Sequence, residues 1–510
     1  MALAWSLFLV YVVVTLYLAW LGHRKTDSLE TYAVGNRDMN PWVAGLALAA
    51  TMTSTATFIV NPGIVYAYGL SAVLGYGVSA GLGLTLGIVI LSKGFRRHGV
   101  ATQVLTVPHW IGTRYQSRGL TLFYAFVNLL LIAMVVLVCY SMAGLMLVVL
   151  DLERLVPGWG FEVGLAATIV FVFAYIFFGG TYAHAYTNSA QGFMMLAVAV
   201  LMVGAGVHLF DGTFLARLSA IDSRLVGAVH PDSLLFRSWF EVFVVNFIVG
   251  FALAVQPHFI IKSLYVKSER DVNTYLAVAV GCGVLFNLVL LCGLFARVEA
   301  GEFITAYTTA NRMGIDGVIP AWILHTFPQA IGIGISMALL AAGMSTLDGM
   351  LVAISAIFAN DVYLVLRRPA ALTPAERMQA AFRVSRYSLV GFGVLAFVLS
   401  LVQHHSKQLS VALFAQEGIY ALFAATFVPV LFGMFGRTLP ARVIVTASTT
   451  ALTVHFAFRY LGLTLLTSAD HTNPGLTATY GLLLSLAVVG GWYGVRAVAP
   501  RLAPSETGSS

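Results

Sequence analysis

What most constrains this chain is a succession of apolar stretches, each about as long as a bilayer is thick. A membrane-spanning helix needs about 20 consecutive apolar residues. Thirteen such stretches can be read along the sequence, at roughly 2–22, 41–68, 71–92, 119–149, 161–179, 184–208, 238–261, 273–296, 330–365, 384–402, 409–434, 440–461 and 475–497. Two of them are long enough to be tilted or broken. The polar gaps, the longest near 209–236 and 298–329, are loop-sized and leave no room for a sizeable soluble domain. Only 10% of the 510 residues are charged and 59% are hydrophobic, whereas soluble domains are about a quarter charged. The expected fold class is an all-α polytopic membrane protein with about 13 transmembrane helices.

The net charge of +7 does not point to nucleic acid, because the basic residues follow membrane topology. With the N-terminus outside, twenty of the 28 Lys and Arg fall in the inside loops: Arg24, Lys25, Arg37, Lys93, Arg96, Arg97, Arg114, Arg118, Lys262, Lys267, Arg270, Arg367, Arg368, Arg377, Arg383, Arg386, Arg437, Arg442, Arg496 and Arg501. The bias predicts a multi-pass protein of the plasma (inner) membrane, N-terminus outside and C-terminus cytoplasmic. The first stretch is too long for a signal-peptide core and has no cleavage-like site after it. Cys139, Cys282 and Cys292 are isolated in apolar segments and read as small packing residues. The tail 498–510 is polar and is expected to be disordered.

Spans two to six and seven to eleven read as two five-helix halves of opposite orientation. The first span of each is interrupted, by "ATMTSTATF" and "NPG" in span two and by "GFALAVQPH" in span seven. Interrupted helices at matching positions of two halves mark the binding site of many transporters, because unwound backbone and half-helix ends can hold ions and carboxylates. The alternative is that Pro and polar residues merely kink ordinary helices. The expected organisation is a peripheral helix and loop (1–40), a first core repeat (41–208), an extracellular loop (209–236), a second core repeat (237–434), two peripheral helices (435–497) and the tail (498–510).

Four segments carry a resemblance. "VGNRDMNPWVAGLALAATMTSTATF" leading into span two, "GGTYAHAYTNSAQ" at 179–191, "QPH" at 256–258 and "MSTLDGMLVAISAIFANDVY" at 344–363 together resemble the sodium/solute symporter family. The resemblance implies a five-plus-five inverted-repeat core of the LeuT type and uptake of a small solute driven by sodium. It implies a sodium site built from the backbone carbonyls of Ala50, Thr53 and Ala342 and the hydroxyls of Ser345 and Thr346. Ala342, Ser345 and Thr346 are spaced i, i+3, i+4 and share one helix face, and neutral oxygens suit a hard cation. Back-bonding of the two hydroxyls to their own helix is the competing reading.

The sequence also departs from the family. Where many members carry an acid in a Trp-Thr-Asp context, this chain has Tyr186-Thr187-Asn188, while a carboxylate, Asp348, stands three residues after Ser345. The expectation is that Asn188 and Asp348 face each other and that Asp348 supplies charge beside the ion. A lone carboxylate at membrane depth costs about 2.5–3.5 kcal/mol on insertion scales and needs a cation or a proton. Arg37 matches a family arginine linked to coupling, or it snorkels at the inner interface. Asp361, in "NDVY", is expected to be structural.

The solute is expected between the broken helices. Polar candidates are Thr55, Thr57 and Asn61 on span two, Tyr140 on span four, and Gln416 and Glu417 on span eleven, with Phe251, Gln256 and Pro257 from span seven. Proline-transporting members carry Trp and Tyr where this chain has Val249 and Leu253, and sugar-transporting members carry Asn and Tyr where it has Ile248 and Phe251. A small apolar-bodied carboxylate suits this lining better: a monocarboxylate, a pantothenate-like acid or an amino acid. His404-His405 reads as a solvated outer loop, and "GLGLTLG" at 81–87 as small-residue helix packing.

The expected function is therefore sodium-coupled symport. The partners are a small-molecule solute, the sodium ion that drives transport, and membrane lipid, with no nucleic acid and an oligomeric state the sequence does not give. A proton-coupled carrier using Asp348, or a sensor or channel on the same fold, is the alternative. No catalytic cluster is present that would suggest an enzyme.

Overall fold

The computed structural model describes residues 2–311, 314–367, 373–406, 411–436, 439–466 and 470–502. Arg368, Arg437 and the tail beyond 502 lie outside the described residues. Helices long and apolar enough to cross a membrane are α1 (Ala2–His23), α4 (Leu70–Ala101), α5 (Arg118–Val149), the 50-residue segment Gly160–Leu209, α10 (Glu269–Thr309), α11 (Gln329–Arg367), α12 (Pro374–His405), α13 (Leu413–Met434), α14 (Ala441–Leu461) and α15 (Pro474–Arg496). Two bent pairs bring these ten to twelve: α2 (Pro41–Met52) with α3 (Ala56–Tyr68), and α8 (Phe240–Leu253) with α9 (Pro257–Leu264).

The 50-residue segment is itself two crossings. At 1.5 Å per residue it would run about 75 Å, more than twice the hydrocarbon thickness. Gly180, at φ 51° and ψ −143°, breaks it into α6 (160–179) and α7 (181–206). A Cβ on Gly160 would strike Leu147 and Glu153, near the end of α5, and one on Gly179 would meet the backbone of Ala19, at the far end of α1. A Cβ on Gly206 would strike Phe295, and the loop after it returns Leu225 against Gly69, at the α3–α4 turn. The chain therefore reverses at Gly180 without a loop, a turn only glycine makes cheaply, and thirteen crossings result among the described residues.

The helices begin and break where local chemistry dictates. Asn40 accepts from the Trp42 N–H at 2.9 Å, and Pro41 takes the first helical position of α2. α2 ends at Thr53, whose φ/ψ of −112°/95° is extended, and the Ser54 hydroxyl then accepts from the Ala56 N–H at 3.2 Å. α9 starts in the same way, with Pro257 in its first turn after Gln256 at φ/ψ −56°/136°. The two bends measure 56° and 58°, so each five-helix half opens on a matched break. Apolar side chains such as Val10, Val13 and Tyr17 on α1 point outward, where lipid would cover them, while α11 is buried along almost its whole inner length. The three cysteines are unpaired.

Lys262 corrects the loop count. It ends α9 fully buried and so does not report topology. Arg96 does reach that helix end, donating to the carbonyls of Ser263 (2.8 Å) and Lys267 (2.9 Å), the arrangement a helix C-terminus favours.

Candidate functional site

The broken helix α2 and the buried helix α11 meet at the centre of the molecule. The Ser345 hydroxyl lies 2.9 Å from the Ala50 carbonyl and 2.8 Å from that of Ala342. The Thr346 hydroxyl lies 3.1 Å from the Thr51 carbonyl and 3.4 Å from Ala342. All five residues are buried. The back-bonding reading is therefore half of the geometry: each hydroxyl touches its own helix and also reaches across to α2. Two hydroxyls thus lie among three carbonyl oxygens, neutral oxygens of the kind a hard cation takes as ligands. Thr53 stands at the break, buried.

Asn188 on α7 buttresses this cluster. Its amide donates to the Thr51 hydroxyl (2.9 Å) and to the Ser345 carbonyl (2.8 Å), and its own Oδ1 is buried with no hydrogen-bond partner. It makes no hydrogen bond to Asp348, so the expected pairing across the site is replaced by two separate engagements. Asp348 instead accepts from Tyr175 (3.1 Å), His184 Nδ1 (2.7 Å) and the Thr187 hydroxyl (3.2 Å). On the far side of the imidazole, His184 Nε2 meets the ammonium of Lys262. Lys262, His184 and Asp348 are all fully buried. The carboxylate's counter-charge is thus supplied by the protein. Sequence reading missed His184 and Lys262; a lysine inside the apolar run "PHFIIKSL" was the available signal.

On the face that carries the N-terminus, a vestibule of about 810 Å³ descends to Thr55 and is lined also by Ile59, Tyr140, Phe161, Asp316 and His404. The Thr55 hydroxyl is buried without a partner and sits where a Cβ on Gly343 would come within 2.7 Å of it. Glycine at 343 is what lets α11 approach the start of α3. Tyr140 and His404 flank Phe161, with Phe161 stacked on the His404 ring at 3.9 Å, so His404 belongs to the vestibule wall and not to a solvated loop. Toward the opposite face, the space bounded by Ala33, Leu105, Pro257, Gly349 and Val352 amounts to only about 10 Å³, while a cavity of about 800 Å³ lies between His109, Thr113, Asp361 and Arg377.

Several candidates sit elsewhere. Glu417 is buried and accepts from Arg459 (2.5 Å) and Tyr460 (2.8 Å) on α14, which makes it a partner for buried donors within the fold. Phe251 packs edge-on to Phe427, away from the vestibule lining. Gln416 lies beside Tyr76, and neither it nor half-buried Thr57 is among the residues lining the vestibule. Gln256 and Pro257 form the second break, where Pro257 shares the small space with Gly349. Arg37 donates to Glu30 (3.4 Å), in the short helix Leu29–Val34, and to the Val104 carbonyl (3.0 Å); it makes no hydrogen bond to the Ser345 and Thr346 cluster. Asp361 accepts from Thr106 (2.5 Å) and Asn360 (2.7 Å), a structural tie.

The sequence matches the family described as the sodium:solute symporter family over residues 32–442. It is 27% identical to a sodium/pantothenate symporter of Escherichia coli over 425 residues, covering 81% of this chain and 82% of that protein. It is 26% identical to the osmoregulated proline transporter OpuE of Bacillus subtilis, covering 77% and 76%. The fold is similar to that of a Na+-coupled sialic acid symporter solved in a substrate-bound outward-open state, with a TM-score of 0.74 at 17% identity over 100% of this chain and 99% of that one. The nucleobase-cation-symport-1 transporter Mhp1 superposes at a TM-score of 0.53 and 15% identity, over 90% and 94%.

Proposed function

This chain belongs to the sodium:solute symporter family, and on that premise we propose that it couples sodium entry to uptake of a small organic solute bearing a carboxylate. Sodium sits among the Ala50, Thr53 and Ala342 carbonyls and the Ser345 and Thr346 hydroxyls. The observation that carries this is the bridging of α2 to α11 by two hydroxyls that each contact carbonyls of both helices. A cation held by oxygens of both helices draws the two together, which is how ion binding acts on the vestibule beside it.

The solute's end point is Thr55. Its unpaired hydroxyl stands at the N-terminal, positive end of α3, where a carboxylate is favoured. Ile59, Val60 and Ile333 supply apolar walls, and Thr55 lies against Gly343, next in sequence to the sodium ligand Ala342. Pantothenate and proline, named for the relatives, both carry a carboxylate. On the orientation that the loop charges favour, the vestibule opens outside and receives solute from there.

The test is thermal-shift screening of purified protein in sodium, lithium or potassium, crossed with a panel of monocarboxylates, pantothenate, amino acids and sugars. A carboxylate that stabilises only with sodium supports the proposal. Stabilisation that is independent of sodium, or confined to sugars, overturns it.

A further inference from the structure

The vestibule carries a charge pattern that a carboxylate at its foot does not use. Of the described residues that line it, two are acids, Asp151 and Asp316, and none is Lys or Arg. Asp151 follows α5, and its side chain caps no helix. Asp316 lies in the short turn Gly314–Gly317 ahead of α11, and among the described residues its carboxylate has no hydrogen-bond or ion-pair partner. The rings of Tyr140, Phe161 and His404 stand in contact on the vestibule wall, and Asp316 acts on the Tyr140 hydroxyl through space. Carboxylates in a cleft and the faces of aromatic rings both attract cations. A simple anion on its way to Thr55 passes two like charges. A solute that also carries an ammonium group is drawn in.

The heights of these groups follow from close approaches. A Cβ on Gly343 would meet both Thr55 and Met142, so the foot lies level with Met142 on α5. Asp151 is nine residues further along the chain, about 13 Å at 1.5 Å per residue. A Cβ on Gly63 would meet the Ile315 carbonyl, so Asp316 stands level with Gly63. That is eight residues beyond Thr55 along α3, about 12 Å. Both acids therefore sit at the mouth. Ile59 and Val60 line the stretch between and suit a chain of methylene groups. At the foot, Thr55 is 1% exposed and its hydroxyl has no partner, so a ligand group is wanted there as well.

We propose that the solute is a zwitterion whose two charges lie several bonds apart, with its carboxylate at Thr55 and its ammonium at the mouth, held by Asp316 and Asp151 beside the aromatic wall. This rests on the placement of a carboxylate at Thr55 and adds the group at the other end, with Asp316 as the residue that selects for it. An α-amino acid carries its charges side by side, so its ammonium stays at the apolar foot and reaches neither acid. Sodium is the competing cation for an acidic mouth, and the test must tell the two apart.

The probes are 6-aminohexanoate and 8-aminooctanoate; norleucine, an isomer of the first with adjacent charges; and hexanoate, which has the carboxylate alone. Each is titrated against the thermal midpoint of purified protein in sodium chloride and in choline chloride. In sodium, one or both ω-amino acids are expected to bind the parent about three- to thirtyfold more tightly than norleucine or hexanoate. Asp316→Asn is expected to bring them down to the affinity of hexanoate, and Asp316→Glu to keep the preference. The comparison on the parent decides even where a variant fails to fold. A parent that binds all four equally, or norleucine or hexanoate best, overturns the proposal and leaves sodium-dependent carboxylate binding intact. A preference that survives in the double variant Asp316→Asn/Asp151→Asn overturns it too. So does a sodium half-saturation that rises in Asp316→Asn with the preference unchanged, which assigns the acid to gathering sodium. Absence of binding by all four also overturns it; the carboxylate at Thr55 falls with it only if the wider panel of carboxylates fails as well.

Discussion

Ser345→Ala removes one oxygen from the cage and nothing else. The Ser345 hydroxyl is the atom closest to both helices, 2.9 Å from the Ala50 carbonyl and 2.8 Å from Ala342. The methyl that remains fits, since the residue is buried among small neighbours on α11. A hydrogen-bond or ligand contact to a charged group is worth about 1.5–3 kcal/mol, and about 1.4 kcal/mol is tenfold in affinity. Sodium affinity should therefore weaken about 10- to 100-fold. The fold should lose no more than about 1–1.5 kcal/mol, because in the absence of the ion only one ordinary hydrogen bond is given up. The assay is the thermal midpoint of purified protein titrated with sodium chloride at constant ionic strength, with choline replacing sodium. The expected result is a half-saturation shifted by that factor with a nearly unchanged midpoint in choline. A sodium titration that superposes on the parent's refutes the argument, because it would mean that the hydroxyl only back-bonds to its own helix.

Thr55→Val keeps shape but removes the unpaired hydroxyl at the foot of the vestibule; KM for a transported carboxylate should rise about tenfold while the sodium half-saturation stays within about twofold, measured by uptake into proteoliposomes. Glu417→Ala leaves the mostly buried Arg459 (14% side-chain exposure) without its carboxylate; a loss of about 3–5 kcal/mol in stability is expected, seen as a lowered melting temperature and lower yield, with solute selectivity unchanged. Gly180→Ala puts a Cβ 2.6 Å from the Tyr32 ring at a φ of +51°; the strain of about 1–3 kcal/mol plus the clash should reduce folded protein sharply, read by size-exclusion fluorescence, whereas Gly204→Ala, which meets nothing within 4 Å, should behave as parent.

The crossings and the two breaks were legible in the residues. "ATMTSTATF" and "AVQPH" announce interruption because a Pro lacks its N–H and a run of Ser and Thr competes with the helix for hydrogen bonds. The i, i+3, i+4 spacing of Ala342, Ser345 and Thr346 puts them on one face in any helix. Lys262 was misread because a lone basic residue near a span end looks like a loop charge; whether it points to water or inward depends on what packs against it. Glu417 was ambiguous for the same reason, its partners lying 42 and 43 residues away.

The sequence by itself determined that this is a many-helix membrane protein and where its core helices break. Both follow from sums over a few neighbouring residues: the transfer free energy of about 20 side chains and the local hydrogen-bonding of the backbone. Only the tertiary structure decided that Asp348 is partnered by His184, 164 residues away, and that His184 in turn meets Lys262, 78 residues further on. A buried charge must find a partner, but residue type and spacing do not say which helix face will bring it. That choice is made when α7, α9 and α11 pack, and it turns a carboxylate that looked stranded beside an ion into one end of a three-residue line.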